Sequence, residues 1–178
     1  MKLIKLNFVL SLLLISHAFI AQNTAPKKEE ALEWYTDIVK ASEVSKATNR
    51  PLFAFFTGSD WCVWCKRLQA NVFAKPDFVQ WAKKNVVLVE LDFPRGKALS
   101  PELQQQNQSL QQTFGVQGYP TIWMFFMTKD ASGAKFNLET LGSLGYPQGA
   151  EPGKEEIKFI KDADALLLKR KEEKKVVK

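Results

Sequence analysis

Apolar runs of strand length alternate with amphipathic stretches along most of the chain. Leu32, Tyr35, Ile38, Val39 and Ser42 recur at helical spacing, which predicts a helix from Glu29 to about Ala47. Asn49-Arg50-Pro51 stops it. Leu52 to Phe56 is continuously apolar, the pattern of a strand covered on both faces. The turn Thr57-Gly58-Ser59-Asp60 then delivers Trp61-Cys62-Val63-Trp64-Cys65 to the start of a helix that continues to about Phe73. Pro76 opens another helix, to about Lys84. Val86 to Asp92 reads as a second strand. Pro101 to Phe114 is a Gln-rich helix with Leu103, Leu110 and Phe114 as its buried stripe. Thr121 to Met127 and Lys135 to Leu141 form a predicted hairpin around the turn Lys129–Gly133. Lys154 to about Lys171 is a last helix, with Ile157, Ile160, Ala163 and Leu167 on one face. This order predicts an α/β domain, a mixed sheet with helices on both sides.

The 178 residues, 46% of them apolar, suit one domain with tails. Residues 1–21 differ from the rest: Lys2 and Lys5 precede an apolar run from Phe8 to Ile15, and small residues follow. That layout predicts a secretory signal peptide, cleaved after Ala21 or Ala18. The alternative is a retained anchor, for which the run falls short of the roughly 20 apolar residues that span a bilayer. Residues 22–28 read as a linker, 29–168 as the domain and 169–178 as a basic, solvated tail. The net charge of +6 sits at the two ends, and residues 22–168 balance 17 bases against 17 acids. A neutral body argues against a nucleic-acid partner, which needs a basic face. The histidine His17 lies inside the expected signal segment, so the mature protein works without a histidine base. Two cysteines and one histidine cannot complete a zinc site of Cys and His ligands, and no metal or cofactor is expected.

Cys62 and Cys65, three apart at a helix start, can close a small ring. Unpaired backbone N–H groups and the helix dipole there favour an anion. They lower a thiol from about 8.5 into a range of roughly 3.5–7.5. Cys62 would attack a substrate disulfide, and Cys65, deeper and less exposed, would resolve the mixed disulfide. Lys66 and Arg67 add positive potential, and Asp60 is expected to cap the helix. The alternative readings are an inert structural pair or half of a metal site completed by another chain. Predicted export, with a strand before and a helix after, favours redox chemistry.

Three segments together form a larger pattern: the strand, turn and Trp-Cys-x-x-Cys-Lys of Leu52 to Lys66; the strand Val86 to Asp92; and Phe114-Gly115-Val116-Gln117-Gly118-Tyr119-Pro120-Thr121. From Glu29 to Leu168 the chain resembles the thioredoxin superfamily. It is most similar to exported bacterial thioredoxin-like proteins, including the periplasmic C-terminal domains of disulfide reductases. The resemblance implies a thioredoxin fold, a mixed central sheet of about four to five strands flanked by helices. It implies a cis Tyr119–Pro120 bond opposite the cysteines. It also implies a substrate surface of Trp61, Val63, Trp64, Gly118, Tyr119 and Pro120, where Gly118-Tyr119-Pro120 alone would read as an ordinary turn.

One departure bears on mechanism. Thioredoxins carry a buried acid in the strand before the cysteines, where this chain has Phe55 and Phe56. Glu90, on the same strand face as Val86, Leu88 and Asp92, is the nearest candidate for that proton carrier. Its other reading is a partner for Lys or Arg at a strand end. Strongly oxidising members hold a histidine between the cysteines, and Val63-Trp64 supplies no such charge, so a reductant is favoured. The expectation is a monomeric, exported thiol–disulfide oxidoreductase, periplasmic or otherwise secreted. It would reduce or isomerise disulfides in other exported proteins, with a membrane protein as electron donor. A thioredoxin-fold chaperone module and a relay dedicated to a single client are the alternatives.

Overall fold

The computed structural model describes residues 31–130 and 135–176, with side chains to 172. The expected signal segment, the linker and the hairpin residues 131–134 lie outside the described residues. Trp34–Tyr35 (β1) is a short strand, and Ile38–Thr48 (α1) follows it. The helix expected from Glu29 therefore starts at Ile38. Asp37 sets that start: its side chain accepts from the N–H groups of Val39 and Lys40 at 2.8 and 3.1 Å. Trp34 and Tyr35, good strand formers, instead pair in parallel with Leu88 and Val89. The helix ends at Asn49 with φ 51.

Leu52–Thr57 (β2) is the central strand, and all six of its residues are fully buried. Val63–Leu68 (α2) runs into a π-helical segment, Gln69–Phe73, and Pro76–Asn85 (α3) leads to Val87–Asp92 (β3). Pro101–Thr113 (α4), Thr121–Lys129 (β4), Phe136–Leu144 (β5) and Glu155–Val176 (α5) complete the element order. The sheet order is β1-β3-β2-β4-β5, with β2 parallel to β3 and antiparallel to β4. This is the expected mixed sheet with five strands. Alternation along β2 sends Phe53 and Phe55 into one core with Cys62, Cys65, Phe73, Phe78 and Phe159. Leu52, Ala54 and Phe56 enter the other core with Ile38, Ala41, Val89 and Phe125. Helices α2, α3 and α5 cover the first face, and α1 and the Leu110–Phe114 end of α4 cover the second.

Two helix faces differ from the sequence expectation. On α5, Ile157 is 54% exposed, while Phe159 and Ala163 are buried. The helix seats where β5 gives way: a register shift between Met124 and Phe125 puts Gly142 in the hairpin with φ +146. Any Cβ there would lie 2.7 Å from Leu166 Cδ2, so glycine permits this approach. The helix, expected to end near Lys171, runs on to Val176. Arg170 is therefore anchored, its guanidinium over Phe126 and paired with Glu139, and is not part of a solvated tail.

On α4, the expected stripe of Leu103, Leu110 and Phe114 is only half-buried, and the fully buried residue is Asn107 between them. Its Nδ2 donates to the Asp92 carbonyl at 2.9 Å, and its Oδ1 accepts from Gln106 Nε2 at the same distance. Gln106 continues outward to Thr36 and accepts from Ile38 N–H, so amides tie α4 to the start of α1. Asn107→Ala strips the Asp92 carbonyl of its donor in a buried place. The expected cost is about 1–3 kcal/mol, read as a lower denaturation midpoint at unchanged slope.

Candidate active site

Strand β2 ends against a turn that Gly58 closes: the N–H groups of Trp61 and Cys62 both donate to its carbonyl, at 3.2 and 2.8 Å. A Cβ at Gly58 would fall inside contact distance of the Trp61 indole, which occupies that space. The turn is then cross-tied to the segment after β3. Asp92 accepts from Ser59 N–H and Oγ at 2.8 and 2.7 Å and pairs with Lys97 at 3.0 Å. Asp60 reaches the opposite way and accepts from the N–H groups of Arg95 and Gly96. The Gly96 N–H, chief among these donors, holds its carboxyl below the usual range. Between the two carboxylates, Trp61 Nε1 donates to the Phe93 carbonyl at 2.8 Å, and the Arg95 guanidinium lies 3.9 Å over the indole.

Asp60 is thus not the helix cap expected of it. Cys62 is the N-cap of α2, and its Sγ accepts the Cys65 N–H at 3.1 Å. The two cysteines are joined as a disulfide, Cys62 at 5% and Cys65 at 1% exposure. The donor that now meets Cys62 sulfur is aimed where a thiolate would place its charge. Val63 and Trp64, between them, are 60% and 47% exposed. Arg67 lies 4.7 Å over the Trp64 ring, Tyr146 meets that ring edge-on at 5.1 Å, and Asn71 donates to the Tyr146 hydroxyl. Tyr146 lies in a loop after β5, and nothing in its local sequence points to the site.

Gly118-Tyr119-Pro120 arrives from the other side. Thr121 opens β4 in register with Phe56, so the turn before it abuts the turn leading to Cys62. The Tyr119–Pro120 bond is cis. The Tyr119 ring meets Trp61 edge-on at 5.8 Å and stacks on Phe93 at 5.2 Å, and its hydroxyl accepts from Gln111.

Glu90 stands on the sheet face of Phe53, Phe55 and the cysteines, as its alternation with Leu88 requires. It is half-buried and lines a cavity of about 360 Å³ together with Leu32, Trp34, Gln69 and Phe73. Burial raises its carboxyl above the ordinary glutamate range, the Asp92 charge raises it further, and Lys97 opposes both. Lys97 itself pairs with Asp92. Gln69, which lines this cavity, begins the π-helical segment, and its N–H donates to the Cys65 carbonyl.

Residues 38–134 match the thioredoxin-like domain family. The chain is 33% identical over 125 residues to the disulfide bond reductase DsbH of Chlamydia pneumoniae, spanning 70% of this chain and 74% of that protein. It is 26% identical over 160 residues to the thioredoxin-related protein DsbJ of the same organism, spanning 89% of this chain but only 44% of that one. A solved structure of DsbH oxidoreductase superposes with a TM-score of 0.64 at 29% identity, over 83% of this chain and 92% of the other.

Gly58→Ala tests the frame around the cysteines. The added methyl must push the Trp61 indole off the Phe93 carbonyl, at about 1–3 kcal/mol of overpacking. The expected readout is a tryptophan emission shift towards the solvent-exposed wavelength, with disulfide turnover reduced severalfold. Unchanged emission and turnover would show that Trp61 is not held by this packing.

Proposed function

The chain belongs to the thioredoxin-like family and is a thiol–disulfide oxidoreductase, and we propose that it is exported and works in the reducing or isomerising direction on other exported proteins. The observation that carries this reading is the Cys62–Cys65 pair at the start of α2, with Cys62 Sγ facing the Cys65 N–H and only Val63 and Trp64 between. A thiolate at Cys62 gains that N–H bond and the helix dipole. No histidine between the cysteines adds to it, so the reduced form is not stabilised to the degree that makes an oxidant. The exported setting is supported by the signal-type pattern of residues 1–21, and the reducing direction by the similarity to a disulfide bond reductase.

In the proposed cycle, the Cys62 thiolate attacks one sulfur of a client disulfide. The client S–S bond breaks, and its second sulfur leaves as a thiolate that takes a proton from water. The Cys65 thiol then loses its proton and attacks Cys62 Sγ. This forms the Cys62–Cys65 disulfide and releases the first client sulfur as a thiolate, which takes a proton from water. Two electrons have passed from the pair to the client, and an external dithiol, supplied by a membrane electron donor in our reading, restores them.

Cys65 is the more deeply buried of two buried sulfurs, so its proton needs a route. We assign that role to Glu90, acting through water in the cavity it shares with Gln69. Its position on the cysteine face and its raised carboxyl support this assignment. Trp61, Val63, Trp64, Gly118, Tyr119 and Pro120 form the surface on which the client segment lies. The exposure of Val63 and Trp64 supports that role.

The test is insulin reduction driven by dithiothreitol. The protein should accelerate it, Cys62→Ser should not, and a chaperone without redox activity would leave the rate unchanged in both. Glu90→Gln should slow resolution of the mixed disulfide by about 10²-fold near neutral pH, the low end for a general base, while the first attack by Cys62 changes little. Stopped-flow single turnovers separate the two steps, and resolution at the parental rate would remove Glu90 from the mechanism. Stability supplies an independent sign. Because the Glu90 carboxyl is raised in the fold, its favourable contribution is full below the ordinary glutamate value and is lost as pH rises through the raised one. Glu90→Gln should therefore be at least as stable as the parent at pH 7, with its relative advantage disappearing at pH 4.

A further inference from the structure

We propose that the rim of this site selects client disulfides flanked by carboxylates, an inference that rests on the oxidoreductase reading. Each tryptophan of the Trp-Cys-Val-Trp-Cys segment carries a guanidinium: Arg95 over Trp61 at 3.9 Å and Arg67 over Trp64 at 4.7 Å. Lys66, directly after the pair, adds a third cation, its ammonium donating to the Asp60 carbonyl at 3.0 Å. All three side chains are exposed. The acids nearby are largely engaged. Asp92 is buried, bound by Ser59 and matched by Lys97. Asp60 faces the N–H groups of Arg95 and Gly96. Glu151, beyond the Tyr146 loop, is paired with Lys154 at 2.6 Å. Glu90 faces its cavity. Three cations thus stand around an exposed apolar patch against the single charge of Asp60. This occurs in a body whose charges otherwise balance, so the local excess does not follow from composition.

The geometry suits an extended polypeptide that lays its cysteine over Cys62 and carries Asp or Glu within a few residues on either side. Stacking on an indole holds each guanidinium flat and leaves its edge open. A carboxylate can then take two parallel N–H bonds with less side-chain entropy lost than from a free arginine. Val63 and Trp64 supply the exposed apolar contact. Lysine or arginine beside the client cysteine would meet like charge at both ends, which penalises the wrong partner more strongly than it rewards the right one.

The experiment uses three peptides of one length, each with a single intramolecular disulfide flanked by Glu, Gln or Lys. Each is reduced in single turnover by the dithiothreitol-reduced, desalted protein. Rates are divided by those with dithiothreitol alone, which removes the effect of the flanks on the disulfide itself. At low salt the Glu peptide should be reduced about tenfold faster than the Lys peptide, and about 0.5 M salt should bring the ratio close to one. The double variant Arg67→Glu, Arg95→Glu should invert the ratio, and Arg67→Gln, Arg95→Gln should flatten it. A ratio within one protein sample is insensitive to partial loss of folded material. Equal rates for all three peptides would overturn this inference and leave the oxidoreductase reading intact. Failure to reduce even the Gln peptide would overturn both. An acidic preference that survives in the double Glu variant would contradict the assignment to these arginines.

Discussion

The carboxylates of Asp60 and Asp92 cross-tie the turn that precedes the redox pair to the chain at and after the end of β3, and the geometry of the site depends on that tie. Asp92 ends β3 and holds Ser59, while Asp60 precedes the pair and holds the backbone after β3. Neither strand end alone could fix Cys62 at the first turn of a helix whose regular part is only six residues long. The exchange of side chains between the two segments does so. Trp61 fills the gap, anchored at Phe93, capped by Arg95 and admitted by the missing side chain of Gly58. A buried carboxylate is costly unless fully partnered, and here the partners of Asp92 are also the groups that shape the site. Asn107 holds the same residue by its main chain, donating to the Asp92 backbone carbonyl.

Around this frame the chemistry divides by depth. Val63 and Trp64 lie at the surface, where a client can be bound. The sulfurs lie just beneath, largely removed from water. Glu90 lies to the side and is less buried than the sulfurs, in a cavity lined also by Gln69 of the π-helical segment and large enough for water to reach it. The widened helix turn has a consequence here: it begins at Gln69, so the chain departs from regular helix where the cysteine face meets the Glu90 cavity.

Much of this was legible in the residues. β2 announced itself as an unbroken apolar run, and burial on both faces is the physical reason such runs occur. The cysteine spacing with the Gly-Tyr-Pro-Thr segment marked the site, and Glu90 stood out as a carboxylate among Val and Leu. What could not be read came from partners distant in sequence. Tyr35 fits a helical periodicity, yet pairing with β3 and the Asp37 cap made Trp34 and Tyr35 a strand. Nothing in the local pattern marked Asn107 for burial, because only the fold brings the Asp92 carbonyl to it. Asp60 had the composition and place of a helix cap, but Cys62 took that role and freed Asp60 for the loop beyond β3. Tyr146 had no local signal at all, since its contact with Trp64 exists only after β5 returns the chain to the site.

The central claim is that Cys62 makes the covalent bond to the client and Cys65 breaks it. Trapping tests it most directly. A Cys65→Ser variant, reduced and mixed with a disulfide-containing protein, should accumulate a dithiothreitol-reversible adduct that mass spectrometry locates at Cys62. The reciprocal Cys62→Ser variant should form little or none, because Cys65 is the more deeply buried sulfur and the helix-start N–H faces Cys62. Equal or greater adduct formation through Cys65, or no adduct with either variant, would contradict the account.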